Sequence, residues 1–138
     1  MYLIILALGV CTASDAIEVL LINSLSSSLT FQATFNRTET EFSTTSSLTF
    51  LGMFFGGILA ALLNSKIGLR KLLLASLLST LTVSLLTNLA TALPVYNALR
   101  LITGLSIGAT IPPTFTLVSL HSPPEARGRN NTLVAWFW

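Results

Sequence analysis

Charge is what this chain has least of. Only 9% of its 138 residues are Asp, Glu, Lys or Arg, against about 25% in soluble domains. So few charges cannot clothe a water-facing surface, which makes membrane the first class to test. The length suggests a single domain, and the formal net charge is only +2. The seven bases are Arg37, Lys66, Arg70, Lys71, Arg100, Arg127 and Arg129, and most fall in two short clusters. No basic patch is interleaved with aromatics, so no nucleic-acid partner is expected. Cysteine is nearly absent too. Cys11 stands alone, which excludes an internal disulfide and a cysteine-built metal site. His121 is the single histidine. With no His/Cys cluster, no Ser-His-Asp set and no phosphate-cradling loop, an enzyme is not expected, nor any metal or cofactor.

Apolar residues are what the chain has instead, at 52% of the sequence and a mean hydropathy of +0.79. They gather into segments at about 3–22, 45–63, 72–93 and 95–120, and a fifth starts near residue 131. Each complete segment spans roughly 20 residues, the length that crosses a hydrocarbon core of about 30 Å as a helix. The runs are continuous rather than alternating, so membrane helices fit and barrel strands do not. The expected class is all-α, a polytopic membrane helix bundle. Pro94 divides the third and fourth segments by a tight turn, and Pro112-Pro113 is expected to kink the fourth. A signal peptide is a competing reading of the start, but no basic region precedes it and the apolar run resumes after Glu18.

Charge also orients the segments. The stretch 64–71, NSKIGLRK, carries three bases and no acid, and 121–130, HSPPEARGRN, carries two bases and one acid. Both are expected on the cytoplasmic side. The Ser/Thr-rich stretch 23–43 is then external. It contains the sequon Asn36-Arg37-Thr38, a candidate glycosylation site at Asn36. A second sequon, Asn130–Thr132, falls on the cytoplasmic side and should be unused.

Against this background Asp15 and Glu18 stand out, two acids inside the first apolar segment. Three residues apart, they share a helix face. Each acid near mid-membrane costs at least about 2.5–3.5 kcal/mol, so that face meets a cavity or protein rather than lipid. Arg100 is the single base inside an apolar segment. Helix rise puts it about 7 Å below the outer boundary, with Glu18 about 7 Å and Asp15 about 12 Å below the same boundary. An ion pair between segments one and four is geometrically possible, either as a functional group or as a packing device. Small residues form two further stripes: Gly52, Gly56 and Gly57 in segment two, and Gly104 and Gly108 in segment four. Such spacing lets membrane helices approach closely, and ordinary packing explains it. Between segments two and three, Gly68 permits a tight turn, while Arg70 and Lys71 can meet headgroups or helix-end carbonyls.

At these residues the sequence resembles the N-terminal part of a major facilitator superfamily transporter. The family's signature between helices two and three runs Gly-x-x-x-Asp-Arg/Lys-x-Gly-Arg-Arg/Lys. Here Ala61 stands at the first glycine, Ser65 at the acid, Lys66 at the base, Gly68 at the second glycine, Leu69 at the next base and Arg70 at the last, with Lys71 following. The helix-four signature fits Arg100, Gly104 and Gly108, and PPEARGR, with Arg127 and Gly128, resembles the turn before helix five. SDAIEVLL, LGMFFGG and RGRNNTLVAWFW are similar to the branch of synaptic vesicle glycoprotein 2-related and niacin-type transporters.

The resemblance implies a secondary carrier of a small organic ion or nutrient. Its partners would be the lipid bilayer and the remainder of the transporter fold, since the family has twelve helices in two halves with the solute site between them. The chain is therefore expected to be an incomplete N-terminal half. Asp15 and Glu18 would face the central cavity, and one or both would bind a cationic group or a proton, with Arg100 as counter-charge or organic-anion contact. Protonation would then be tied to whether the pair is closed. Ser65 replaces the acid that charge-locks the cytoplasmic gate in the family, and Asn64 cannot restore the charge. The alternative is a truncated, non-transporting membrane protein acting through helix–helix association.

Overall fold

The computed structural model describes residues 2–26, 39–87, 89–90 and 92–138, with backbone alone for 2, 4, 22, 23, 25, 26 and 39–42. Among the described residues the chain is helical and has no strand. The helices are α1 (Tyr2–Ser26), α2 (Glu39–Ile67), α3 (Leu69–Thr87), α4 (Leu93–His121) and α5 (Arg127–Ala135), with a 3₁₀ turn at Pro124–Ala126 before the last. Asn36 lies outside the described residues. Among the described residues three stretches are long and apolar enough to cross a membrane: Ser43–Ile67, Leu69–Thr87 and Leu93–His121.

The helices expose large apolar side chains such as Leu6, Phe54, Leu62, Leu74 and Leu85. A water-soluble bundle would turn those inward; a lipid-facing one has no reason to. α4 is the hub. Of its most apolar stretch 61% is buried, against 22% for α2 and for α3. It packs most extensively on α2, then on α3, while α1 lies against α4 and α5. Ile5 and Leu8 of α1 meet Leu73 of α3, Leu117 and Val118 of α4 and Val134 of α5 in one apolar cluster. Ala60, Leu72 and Ala109 form a second between α2, α3 and α4.

The segment ends differ from the sequence-based boundaries, for local reasons. The stretch 64–71 is barely a loop: α2 runs to Ile67, α3 starts at Leu69, and Gly68 alone separates them at φ +86°. One left-handed residue reverses the chain, so its neighbours on both sides stay helical. The backbone bonds Gly68 N–H to Asn64 O and Leu72 N–H to Gly68 O close the two helices around it. α3 stops at Thr87 rather than near residue 93. Leu89 and Ala90 make turn bonds to Leu86 and Thr87, and Ala92 is extended before Pro94 in the first turn of α4, where proline's fixed φ suits a helix start. α5 starts at Arg127, ahead of residue 131, as soon as the prolines of the preceding turn have passed. α4 remains helical through Pro112 and Pro113; proline there removes the bonds that the carbonyls of Gly108 and Ala109 would otherwise accept.

Candidate functional site

Alternation along the bundle brings the C-terminal half of α1, the C-terminal half of α3 and the N-terminal half of α4 to one end. Glu18, Ser84 and Arg100 meet there. Arg100 Nη1 donates to Glu18 Oε1 at 3.1 Å, with 8% and 22% of the two side chains exposed. Ser84 Oγ donates to the same oxygen at 2.6 Å. The guanidinium also lies 5.0 Å from the ring centre of Tyr96, one turn earlier on α4, within cation–π range. Arg100 Nε is buried without a hydrogen-bond partner.

Asp15 is one turn away on α1 and more deeply enclosed, at 2% exposure. Its Oδ2 has no hydrogen-bond partner among the described residues. Of the two acids, then, Glu18 makes the ion pair with Arg100 and Asp15 stands apart from it. Three residues below Asp15 on the same face, Thr12 donates to the carbonyl of Gly9 at 2.8 Å and lies 3.5 Å from that of Val134. Thr12 also lines a cavity of about 250 Å³ with Ile111, Phe115, Ala135 and Trp138. Polar side chains, a buried acid and an apolar cavity thus follow one another along α1.

A second polar feature runs down the contact of α3 with α4. Ser79 and Ser106 hydroxyls lie 2.8 Å apart, and Thr110 Oγ1 lies 3.1 Å from Ser76 Oγ. Ser76, Ser106 and Thr110 also reach carbonyls of their own helices, those of Leu73, Ile102 and Ser106. Sequence reasoning missed these hydroxyls, along with Ser84 and Tyr96. The signal was available: Ser76, Thr80, Ser84 and Thr87 recur every three or four residues in an otherwise apolar helix.

The glycines of α2 and α4 form a seam in which backbone meets backbone. A Cβ on Gly52 would strike the carbonyl of Leu101, and one on Gly56 that of Leu105. In return, a Cβ on Gly104 would strike the carbonyl of Thr49, and one on Gly108 that of Met53. Gly57 is off this seam; a Cβ there meets only the carbonyl of Gly108, at 3.9 Å. At the N-terminal end of the same helix pair Thr45 donates to Asn97 Oδ1 at 2.6 Å.

At the opposite end lie the turn residues. Ala61, Ser65, Lys66, Gly68, Arg70 and Lys71 are exposed, and Ser65 Oγ bonds back to the carbonyl of Leu62. Arg127 Nε donates to the carbonyl of Ser122 at 3.4 Å, and Gly128 has open space beside it. Asn130 is fully buried, its amide nitrogen donating to Ser122 Oγ at 2.8 Å. No group of His, Cys, Asp and Glu that could hold a metal occurs among the described residues.

The sequence matches the family model for the Major Facilitator Superfamily over residues 5–138. The chain belongs to the major facilitator superfamily. Comparison with curated proteins and with solved structures gave no match. Membership in the major facilitator superfamily makes this a membrane protein of a class that moves small solutes across bilayers, which agrees with its three bilayer-length apolar stretches.

Proposed function

We propose that this chain supplies part of the solute path of a proton-coupled secondary carrier, with Asp15 as the proton- or cation-binding group and Glu18–Arg100 as the ion pair beside it. The observation that supports this reading is the contrast between the two acids. Glu18 is satisfied by Arg100 and Ser84, whereas Asp15 is buried with a free carboxylate oxygen. An acid held in an apolar helix without a fixed partner is expensive, and it is retained where a proton or cation visits. Arg100 offers a positive charge to an organic anion whenever Glu18 releases it. The Asp-Ala-x-Glu spelling at Asp15–Glu18 supports the synaptic vesicle glycoprotein 2-related and niacin-type branch. The basic residues around Gly68 support a cytoplasmic placement of that turn, and the three apolar stretches support a multi-pass arrangement.

The test is uptake into proteoliposomes made with the whole native protein, with a pH-sensitive dye inside. Nicotinate and choline serve as labelled anionic and cationic probes. Asp15→Asn is expected to uncouple internal acidification from uptake while solute exchange without a gradient persists. Arg100→Gln should abolish uptake of the anion. Undiminished proton-coupled uptake in both variants would remove the reading.

A further inference from the structure

A groove of about 400 Å³ opens at the end of the bundle opposite Arg100, between the Gly68 turn and the C-terminus of α4. Arg70 and Lys71 line it from α3 and His121 from α4, above a wall of Leu69, Leu117 and Leu120. Three properties of this groove point to one ligand chemistry.

The first is unbalanced positive charge. Lys66, Arg70, Lys71, Arg127 and Arg129 lie in the sequence at this end, and beyond Glu41 the chain contains a single acid, Glu125. Among the described residues the ion pair is Arg100–Glu18, so Arg70 and Lys71 have no carboxylate. Ser65 supplies none either: its hydroxyl is turned back to its own helix. The second is the backbone. α3 begins at Leu69 and its first backbone bond runs from Leu72 N–H to Gly68 O, so the N–H groups of Leu69, Arg70 and Lys71 lack partners within the helix and carry the positive end of its dipole. The third is the apolar border. Ile67 and Leu120 are 44% and 64% exposed beside these bases. A free anion has no use for them, whereas an acyl chain does. His121 Nδ1 donates to the carbonyl of Leu117 at 2.9 Å, so Nε2 of that tautomer is an acceptor and meets a headgroup hydroxyl rather than a phosphate oxygen.

We infer that this groove binds the headgroup phosphate of an anionic phospholipid, with Arg70 and Lys71 around the phosphate, His121 beside the headgroup, and the glycerol and acyl chains along Leu117 and Leu120. The site is independent of the solute path proposed above. It lies at the other end of the bundle and uses none of the same residues.

Native mass spectrometry of the protein released from phosphatidylcholine nanodiscs carrying a minor fraction of phosphatidylglycerol tests this. The unmodified protein is expected to retain phosphatidylglycerol in preference to phosphatidylcholine. Arg70→Gln with Lys71→Gln should lower that preference roughly 25-fold, about fivefold for each base. Arg127→Gln with Arg129→Gln removes the same charge away from the groove and should leave the preference in place. Should the Arg70/Lys71 pair fail to fold, His121→Gln is read in the same way, with a smaller loss expected. Equal losses in the two double variants, or no preference in the unmodified protein, would overturn the assignment. Displacement of the lipid by inorganic phosphate with unchanged affinity in lipid-free detergent would overturn it as well, since the site would then take a free anion.

Discussion

Arg100 is held from three directions, by Glu18, by the Tyr96 ring and by the helix that carries it. Removing Glu18 leaves a guanidinium buried without a counter-charge. Glu18→Ala should cost about 3 kcal/mol, the lower end of the range for a broken buried pair because Glu18 is partly exposed. The double variant Glu18→Ala/Arg100→Leu should recover most of that, since no uncompensated charge remains. Thermal melting in detergent of the two singles and the double reads the coupling directly; strict additivity would show that the pair contributes nothing. Asp15 behaves in the opposite sense. Asp15→Asn keeps the shape and removes an ionisable group from an enclosed site, so the melting temperature should rise while any coupled transport falls. At Gly68 the limit is conformational rather than steric. Nothing lies within 4 Å of a Cβ there, yet φ is +86°. Gly68→Ala should therefore cost about 1–2 kcal/mol, and Gly68→Asn less, because asparagine tolerates the left-handed region better. The same melts check this pair of variants.

At the scale of elements, α4 has two different flanks. Toward α2 the contact is backbone on backbone, and no side chain fits between the carbonyls of Thr49 or Met53 and the glycines opposite. Gly104→Ala and Gly108→Ala are each expected to destabilise by about 1–3 kcal/mol through overpacking, while Gly57→Ala and Gly128→Ala should be close to neutral. Circular-dichroism melts of the four variants separate seam from non-seam glycines. The spacing of these glycines was readable as a packing stripe, but spacing alone could not distinguish Gly56 from its neighbour Gly57. That distinction depends on the rotation of α2 against α4, which is a tertiary quantity. The pairing of Arg100 with a segment-one acid was likewise readable from depth along the helices. Depth also set Glu18 level with Arg100 and Asp15 about 5 Å deeper, whereas the Ser84 hydroxyl that donates to the same Glu18 oxygen was not legible. Helix ends were the least legible feature: bases in 64–71 suggested a loop, whereas one glycine completes the whole reversal.

For the whole molecule, positive charge concentrates at the end formed by the Gly68 turn and the start of α5. With the single Cys11 replaced by Ala, a Ser65→Cys probe should react with an impermeant maleimide from the cytoplasmic side alone; Ser65 is exposed, so access is set by the side of the membrane and not by burial. The Asn130 sequon gives no such information. Asn130 is helical and fully buried against Ser122, so a glycan there would prevent the fold, and an unmodified Asn130 is expected of the folded protein. The helical class and the membrane setting were legible from composition and run length. The hub position of α4 was not, because every segment is predominantly apolar and only packing reveals which one is surrounded.

The two flanks of α4 give the bundle a grain. Parting α2 from α4 would strip close contact from a backbone seam that nothing else can fill. Parting α3 from α4 is far gentler. Ser76, Ser106 and Thr110 each have a carbonyl in their own helix to fall back on, so a cross-helix bond can be surrendered without orphaning a buried hydroxyl. Separating α3 from α4 is therefore expected to cost less than separating α2 from α4, and the line of least resistance in the bundle is the row of hydroxyls that leads up to Ser84 and the ion pair.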